Sequence, residues 1–257
     1  MVAQIKEQEK KKLNIAIVQI YNDTMKNYAE YGRLLNVMYA KQHNYAYISF
    51  EYNLVPLYIS IHYNKIKAID SIFKDPQNFD WVLYIDEDAA VSNFNYKIED
   101  IIARHEEREI IIAQDINGVN NGVFLIKNTD KMKEFLQKTY EDRTFFHEKT
   151  PDQRSMFHYL LTEYKDLVGI EPAHFLNAYI KGYSDFSSAE DIKYWDKNSF
   201  IIHLFKLSTE DRINIFKQIL LSSRITCVSK PKEIDVFNFT PKNKTNKSTK
   251  INDKGVL

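Results

Sequence analysis

The stretch Trp81-Val82-Leu83-Tyr84-Ile85-Asp86-Glu87-Asp88-Ala89-Ala90-Val91 joins a continuous apolar run directly to three successive acids. An apolar run without alternation reads as a strand covered on both faces, the kind that lies inside an α/β sheet. Carboxylates at the end of such a strand are costly to desolvate unless a cation meets them. In an extended chain residues i and i+2 share a side, so Asp86 and Asp88 are expected to face one cation together while Glu87 turns away. Carboxylate oxygens are hard ligands suited to Mg²⁺ or Mn²⁺, and ligands of open α/β sheets gather beyond the carboxyl ends of the strands. Taken alone, these residues also read as an acidic surface turn.

The chain around this stretch alternates strands and helices. Leu13 to Ile20 is another continuous apolar strand, followed by Tyr31, Leu34, Leu35, Met38 and Tyr39 on one helical stripe, and then by the strand Ala46 to Phe50. Strand, helix and strand at this spacing make a βαβ unit. A helical stretch from Tyr63 to Phe73 leads into Trp81. Beyond the acids, Glu109 to Ala113 and Gly122 to Ile126 read as strands, Lys131 to Tyr140 and Gln153 to Tyr164 as helices, Phe200 to His203 as a late strand and Thr209 to Leu221 as a last helix. The alternation predicts one α/β domain with a mixed sheet over residues 13–228, after a charged lead-in over 1–12.

Composition bounds the function. The formal charge is 35 − 35 = 0, which gives no global attraction to nucleic acid or to an acidic membrane. The single cysteine, Cys227, excludes an intramolecular disulfide and a cysteine-based zinc cluster. No segment approaches the roughly 18 to 20 apolar residues needed to span a bilayer, and the first residues have no apolar signal core. A cytoplasmic protein without a transmembrane segment is therefore expected. Residues 229–257 carry 7 Lys against 3 acids, a balance of 7 − 3 = +4, with few aromatics. They read as a flexible basic tail, with weak peripheral membrane contact as the sharper alternative.

Further polar signals accompany the acids. Asn120, Asn121 and Gly122 stand directly before a buried strand, where glycine permits close approach of a ligand and amides can address sugar hydroxyls; an ordinary Asn-Gly turn is the alternative. Pro151-Asp152-Gln153 begins a helix with Asp152 as a candidate cap. His203 ends an apolar strand, which suits either a core histidine or a third metal ligand.

In this order the elements resemble glycosyltransferase family 34, the galactosyl-, xylosyl- and mannosyltransferases, which are retaining enzymes of the GT-A fold. The family's N-x-x-Y-A-x-x-H-x-Y element is matched by Asn36, Tyr39, Ala40, His43 and Tyr45, and its lysine ahead of the central helix by Lys65. The W-x-x-x-x-D-x-D-A run is matched by Trp81, Asp86, Asp88 and Ala89, and N-x-G-V-F-L-I-x-N by Asn120, Gly122 to Ile126 and Asn128. Asp152-Gln153 and the late histidine strand complete a likeness that runs from Leu13 to Lys206. The family's H-F-x-G followed by lysine is replaced by His203-Leu204-Phe205-Lys206, without the glycine. The glycogenin-like family shares the D-x-D, N-x-G-V and D-Q elements and is the second resemblance.

The resemblance implies a GT-A-type, Rossmann-like single domain with a mixed, mostly parallel central sheet flanked by helices. It implies a divalent ion, Mn²⁺ or alternatively Mg²⁺, held by Asp86, Asp88 and His203. It assigns the nucleotide-sugar donor to Gln19, Tyr21, Lys65, Asp86, Asn120, Asn121, Gly122 and Lys206, and catalytic or sugar-positioning roles to Asp152, Gln153 and Asp115. The implied reaction moves a sugar from a UDP-hexose or UDP-xylose to a hydroxyl of a glycan or other acceptor, keeping the α configuration. A catalytically degenerate fold that binds nucleotide or sugar is the alternative. A metal-dependent nucleotidyltransferase or phosphohydrolase ranks last, because no phosphate-cradling glycine loop is present.

Overall fold

A computed structural model describes residues 12–21, 24–50, 53–115, 118–181 and 193–222. The expected basic tail and the end of the domain expected at 228 lie outside them. Strand β1 (Ile15–Ile20) is followed by helix α1 (Lys26–His43), β2 (Ala46–Phe50), α2 (Asn64–Phe73) and β3 (Trp81–Ile85). Then come β4 (Ala89–Val91), α3 (Ile98–Ala103), β5 (Ile110–Asp115), β6 (Gly118–Lys127), α4 (Asp130–Glu141) and α5 (Pro151–Leu161). The described chain closes with β7 (Val168–Pro172), the short α6 (Ala173–Leu176), β8 (Ile201–His203) and α7 (Thr209–Ser222).

Six strands form the main sheet in the order β2-β1-β3-β6-β5-β7. The β1–β2, β1–β3 and β5–β7 pairings are parallel, while β6 runs antiparallel to both of its neighbours, so the sheet is mixed and mostly parallel as expected. The central strand β3 is apolar on both faces because both faces are covered. Val82 and Tyr84 of β3 join one core with α2, α4 and α5, and Trp81, Leu83 and Ile85 join another with α1 and α3. The same division separates Phe124 and Ile126 from Val123 and Leu125 in β6, which is the period of two that a strand imposes. 

Two expectations need correcting. The late strand does not extend the main sheet: β8 pairs antiparallel with β4, and the two form a separate small sheet. The second correction concerns Asn120-Asn121-Gly122, which lie within β6 and not in a turn before it. Pairing with β5 slips there, from Ile112 opposite Phe124 to Ala113 opposite Asn120. This bulge bends β6 where it passes the end of β3, a usual device for re-aiming side chains beside a functional site. Among the described residues no helix is long and apolar enough to cross a membrane.

Candidate active site

Three short pairings bring the acids and the histidine together. Beyond Ile85 the chain leaves the sheet in a tight turn, closed by the Ala89 amide donating to the Asp86 carbonyl (3.0 Å). The Asp86 amide donates to the Gly122 carbonyl (2.7 Å), and the Leu204 amide to the Asp88 carbonyl (2.8 Å). Since β4 pairs with β8 so that Ala89 stands opposite His203, the residue before Ala89 meets the histidine. One ligand atom from each of Asp86, Asp88 and His203 then lies within 4.8 Å of the others. Their convergence rests on this turn and the β4–β8 register, not on the extended i, i+2 geometry expected from the sequence.

Glu87 does not turn away. It is half-buried in the wall of the same cleft, and burial together with Asp86 and Asp88 pushes its carboxyl up to about 8. For Asp88 burial acts in the same upward direction, but His203 and Arg212 outweigh it and hold the carboxyl below its ordinary value. Arg212 Nη2 donates to Asp88 Oδ2 (2.9 Å), and His203 Nε2 lies 3.0 Å from Asp88 Oδ1. The other imidazole nitrogen, Nδ1, is 2.8 Å from Asn177 Oδ1. Tyr84 donates its hydroxyl to Asp86 Oδ1 (2.9 Å).

Gly122 explains why this packing is attainable. A Cβ on that residue would stand 2.4 Å from His203 Cε1 and 2.9 Å from Asp86 Oδ2. Glycine is thus required for the histidine and the aspartate to approach the strand, where the sequence had pointed to approach by a ligand.

Lys65, on α2, is buried between two carboxylates, with Nζ at 3.1 Å from Asp86 Oδ1 and 3.5 Å from Asp152 Oδ2. Burial alone would lower its pKa; Asp86 and then Asp152 reverse that and raise it. Nζ also donates to the carbonyl and side-chain oxygens of Asn121 (3.1 and 3.3 Å), while Asn121 Nδ2 donates to Asp152 Oδ2 (2.7 Å). Gln153 lines the cleft beside Asp152. Tyr21, Asn120 and Asn121 also line the cleft, which holds about 260 Å³.

The remaining candidates lie to the side of it. Gln19 is fully buried, donates to the Asp86 carbonyl (3.0 Å) and accepts from the Tyr47 hydroxyl (2.7 Å), so it supports the acidic turn from behind. Asp115 accepts the Tyr179 hydroxyl (2.8 Å) at the end of β5. Lys206 is exposed and has φ 62°, a left-handed conformation at the position where the family resemblance places glycine.

Sequence reading missed Arg212, Asn177, Tyr179 and a role for Asn36. Arg212 sits in a helix whose charges look like an ordinary solvated face, and Asn177 and Tyr179 lie in a segment with no periodic pattern. Asn36 was visible in the N-x-x-Y-A element. It is fully buried, and its Oδ1 accepts from the Val91 amide (2.8 Å), which fixes β4 against α1.

The chain is similar to known proteins in sequence and in fold. The model of the galactosyl transferase GMA12/MNN10 family matches residues 103–212. A probable alpha-1,2-galactosyltransferase, gmh2, of Schizosaccharomyces pombe is 23% identical over an alignment of 216 positions that covers 68% of this chain and 60% of that protein. The chain thus spans three fifths of the curated relative's length. In fold, it is similar to a crystal structure of a glycosyltransferase involved in glycosylation of the major capsid of PBCV-1, with a TM-score of 0.65, 16% identity, and 80% and 99% of the two chains covered. It is also similar to the glycosyltransferase GlyE of Streptococcus pneumoniae TIGR4, with a TM-score of 0.51, 14% identity, and 82% and 63% covered.

Proposed function

We propose that this chain, which is family-34-like in sequence and GT-A in fold, is a metal-dependent retaining glycosyltransferase. It takes a sugar from a nucleotide-sugar donor, UDP-hexose or UDP-xylose being favoured, and passes it to a hydroxyl of a glycan or other acceptor. The observation that carries the reading is the convergence of Asp86, Asp88 and His203 on one point of a cleft.

The residues fit a divalent ion. Two hard carboxylates and one imidazole nitrogen suit Mn²⁺ somewhat better than Mg²⁺, which prefers oxygen throughout. The absence of a Cβ on Gly122 lets His203 and Asp86 draw together over β6. Four carboxyl groups, Asp86, Glu87, Asp88 and Asp152, stand against the cations Lys65 and Arg212, and burial beside Asp86 and Asp88 already pushes Glu87 towards its neutral form; a divalent ion would relieve that crowding. A bound ion supplies electrostatic stabilisation of the diphosphate leaving group.

Chain residues do the rest. Lys65 keeps Asp86 and Asp152 in fixed positions and adds positive charge near the diphosphate. Asn120 and Gln153 face the donor sugar from the lining of the cleft, Asn121 braces Lys65 and Asp152 beside them, and Tyr21 contributes to the wall. Lys206 is the candidate second cation for the diphosphate.

The retaining route also has support in the geometry. Asp152 is almost wholly buried, and its Oδ2 is engaged by Lys65 and Asn121. Asp115 is engaged by Tyr179. Carboxylates held this way are weak nucleophiles, which favours same-face attack with the departing phosphate accepting the acceptor's proton over a covalent glycosyl intermediate.

Nucleotide release from a panel of UDP- and GDP-sugars, with and without Mn²⁺, tests the proposal. Release from one donor that needs Mn²⁺ and is lost in Asp86→Asn/Asp88→Asn is the expected result. Absence of release, together with no rise in melting temperature on adding Mn²⁺ and nucleotides, would overturn it. Metal-dependent nucleotide binding without turnover over a wide acceptor panel would favour the degenerate binding module, a reading motivated by the irregular His203-Leu204-Phe205-Lys206 segment.

A further inference from the structure

Tyr179 joins the two ends of the cleft described above. Its ring is buried and packs edge-on against Phe205, with centroids 4.8 Å apart, and Phe205 lines the cleft. Its hydroxyl donates to Asp115 Oδ2 (2.8 Å) and accepts from Asn120 Nδ2 (3.1 Å) and Asn177 Nδ2 (3.0 Å). An amide that uses its nitrogen towards Tyr179 presents its oxygen elsewhere, and Asn177 Oδ1 lies 2.8 Å from His203 Nδ1. A carbonyl oxygen only accepts, so a proton on Nδ1 faces Asn177, and Nε2, which lies against the Asp88 carboxylate, is the nitrogen left for the converging ligand atoms once an ion takes the place of its proton. The backbone secures the same arrangement. The Ala178 amide donates to the Ile201 carbonyl (2.9 Å) and the His203 amide to the Ala178 carbonyl (2.8 Å), so the segment carrying Asn177 and Tyr179 runs beside β8.

We infer that Tyr179 is a positioning residue that couples the sugar-facing side of the cleft to the metal-facing side. Through Asn177 its hydroxyl fixes the tautomer and orientation of His203, and through Asp115 and Asn120 it fixes groups assigned to the donor sugar. The inference rests on the proposed metal site, and it adds a residue to which neither the sequence motifs nor the ligand set assigns a role. Removing a group that orients a metal-binding histidine through its other nitrogen typically costs about 10–100-fold in metal affinity or activity. Tyrosine suits the task because one hydroxyl can donate once and accept twice, whereas phenylalanine would keep the ring packing and lose every one of these bonds.

The test uses the full chain and Mn²⁺ alone as probe, with the free ion followed by electron paramagnetic resonance and donor KM measured alongside. Tyr179→Phe should weaken Mn²⁺ binding about 10-fold, the lower end of what outer partners of metal ligands give. Asn120→Ala removes a donor to the same hydroxyl together with the acceptor of the Gly122 amide, and should raise donor KM with a smaller effect on Mn²⁺ affinity than Tyr179→Phe. Wild-type Mn²⁺ affinity in Tyr179→Phe, with only a lowered melting temperature, would show a merely structural hydroxyl and overturn the inference. Should Tyr179→Phe not fold, Asp115→Ala, which keeps the hydroxyl but removes its acceptor, should weaken Mn²⁺ binding in the same direction, and unchanged affinity would again overturn it. Failure of the wild type itself to bind Mn²⁺ would instead bring down the metal-site reading, and this inference with it.

Discussion

Gly122→Ala is the most direct probe of the site, because one added methyl group tests whether the close approach of three elements matters. Its Cβ would stand 2.4 Å from His203 Cε1, 2.9 Å from Asp86 Oδ2 and 3.0 Å from His203 Nδ1. An ordinary carbon–carbon contact is about 3.5 Å, so the imidazole must retreat by about 1 Å. It has little freedom to do so, since Nδ1 is bound to Asn177 and Nε2 to Asp88. Metal–ligand distances tolerate only about 0.2 Å, and a displacement near 1 Å at a reacting centre costs about 100-fold. The expected result is a loss of Mn²⁺ affinity and of turnover by about that factor. Overpacking should lower stability by about 1–3 kcal/mol, a fall in melting temperature of about 2–12 °C for a domain of this size. Calorimetric Mn²⁺ titration and a thermal melt measure the two effects separately. Wild-type Mn²⁺ affinity and turnover in Gly122→Ala would refute the assignment of His203 and Asp86 to one site.

Other substitutions test the surrounding charges. Lys65→Met leaves Asp86 and the buried Asp152 without their shared cation and should cost about 3 kcal/mol in urea unfolding of the metal-free protein; a loss below about 1 kcal/mol would mean that the pairing contributes little. Arg212→Lys cannot reproduce both the Nη2 bond to Asp88 and the Nε bond to the Leu204 carbonyl (3.0 Å), so a loss of about 2 kcal/mol is expected in the same assay, and full retention would show that the fork geometry is dispensable. Lys206→Gly relieves a left-handed backbone and should gain about 1 kcal/mol, or about 2–4 °C in the melt. If that variant also raises donor KM, Lys206 contacts the diphosphate; an unchanged KM would remove it from the donor site.

Much of the fold was legible because strands covered on both faces must be apolar throughout. Ile15 to Val18, Trp81 to Ile85 and Val123 to Ile126 are all of this kind, and each lies in a strand of the main sheet. Short elements were less legible. The three residues of β4 look like a linker after the acids, and β7, Val168–Pro172, includes a glycine and a proline that weaken any strand signal. Both are defined by their hydrogen-bonded neighbours, which sequence periodicity does not record.

The amino-acid sequence by itself determined which groups were available: Asp86 and Asp88 at the end of a buried strand, Asn120 to Gly122, Asp152-Gln153 and a histidine after an apolar run. Those signals are local, because an apolar residue next to a charged one already constrains where the chain can lie. Tertiary structure alone decided how the groups meet. The distances from Asp88 to His203 and Arg212 are set by the β4–β8 register and by the docking of α7 across sequence separations of 115 and 124 residues. The same is true of the turn that keeps Glu87 in the cleft and of the Tyr179 hydroxyl between Asp115 and Asn177. Hydrogen bonds depend on distance and direction in space, and residues so far apart in the chain acquire both only when the sheet and its helices have packed.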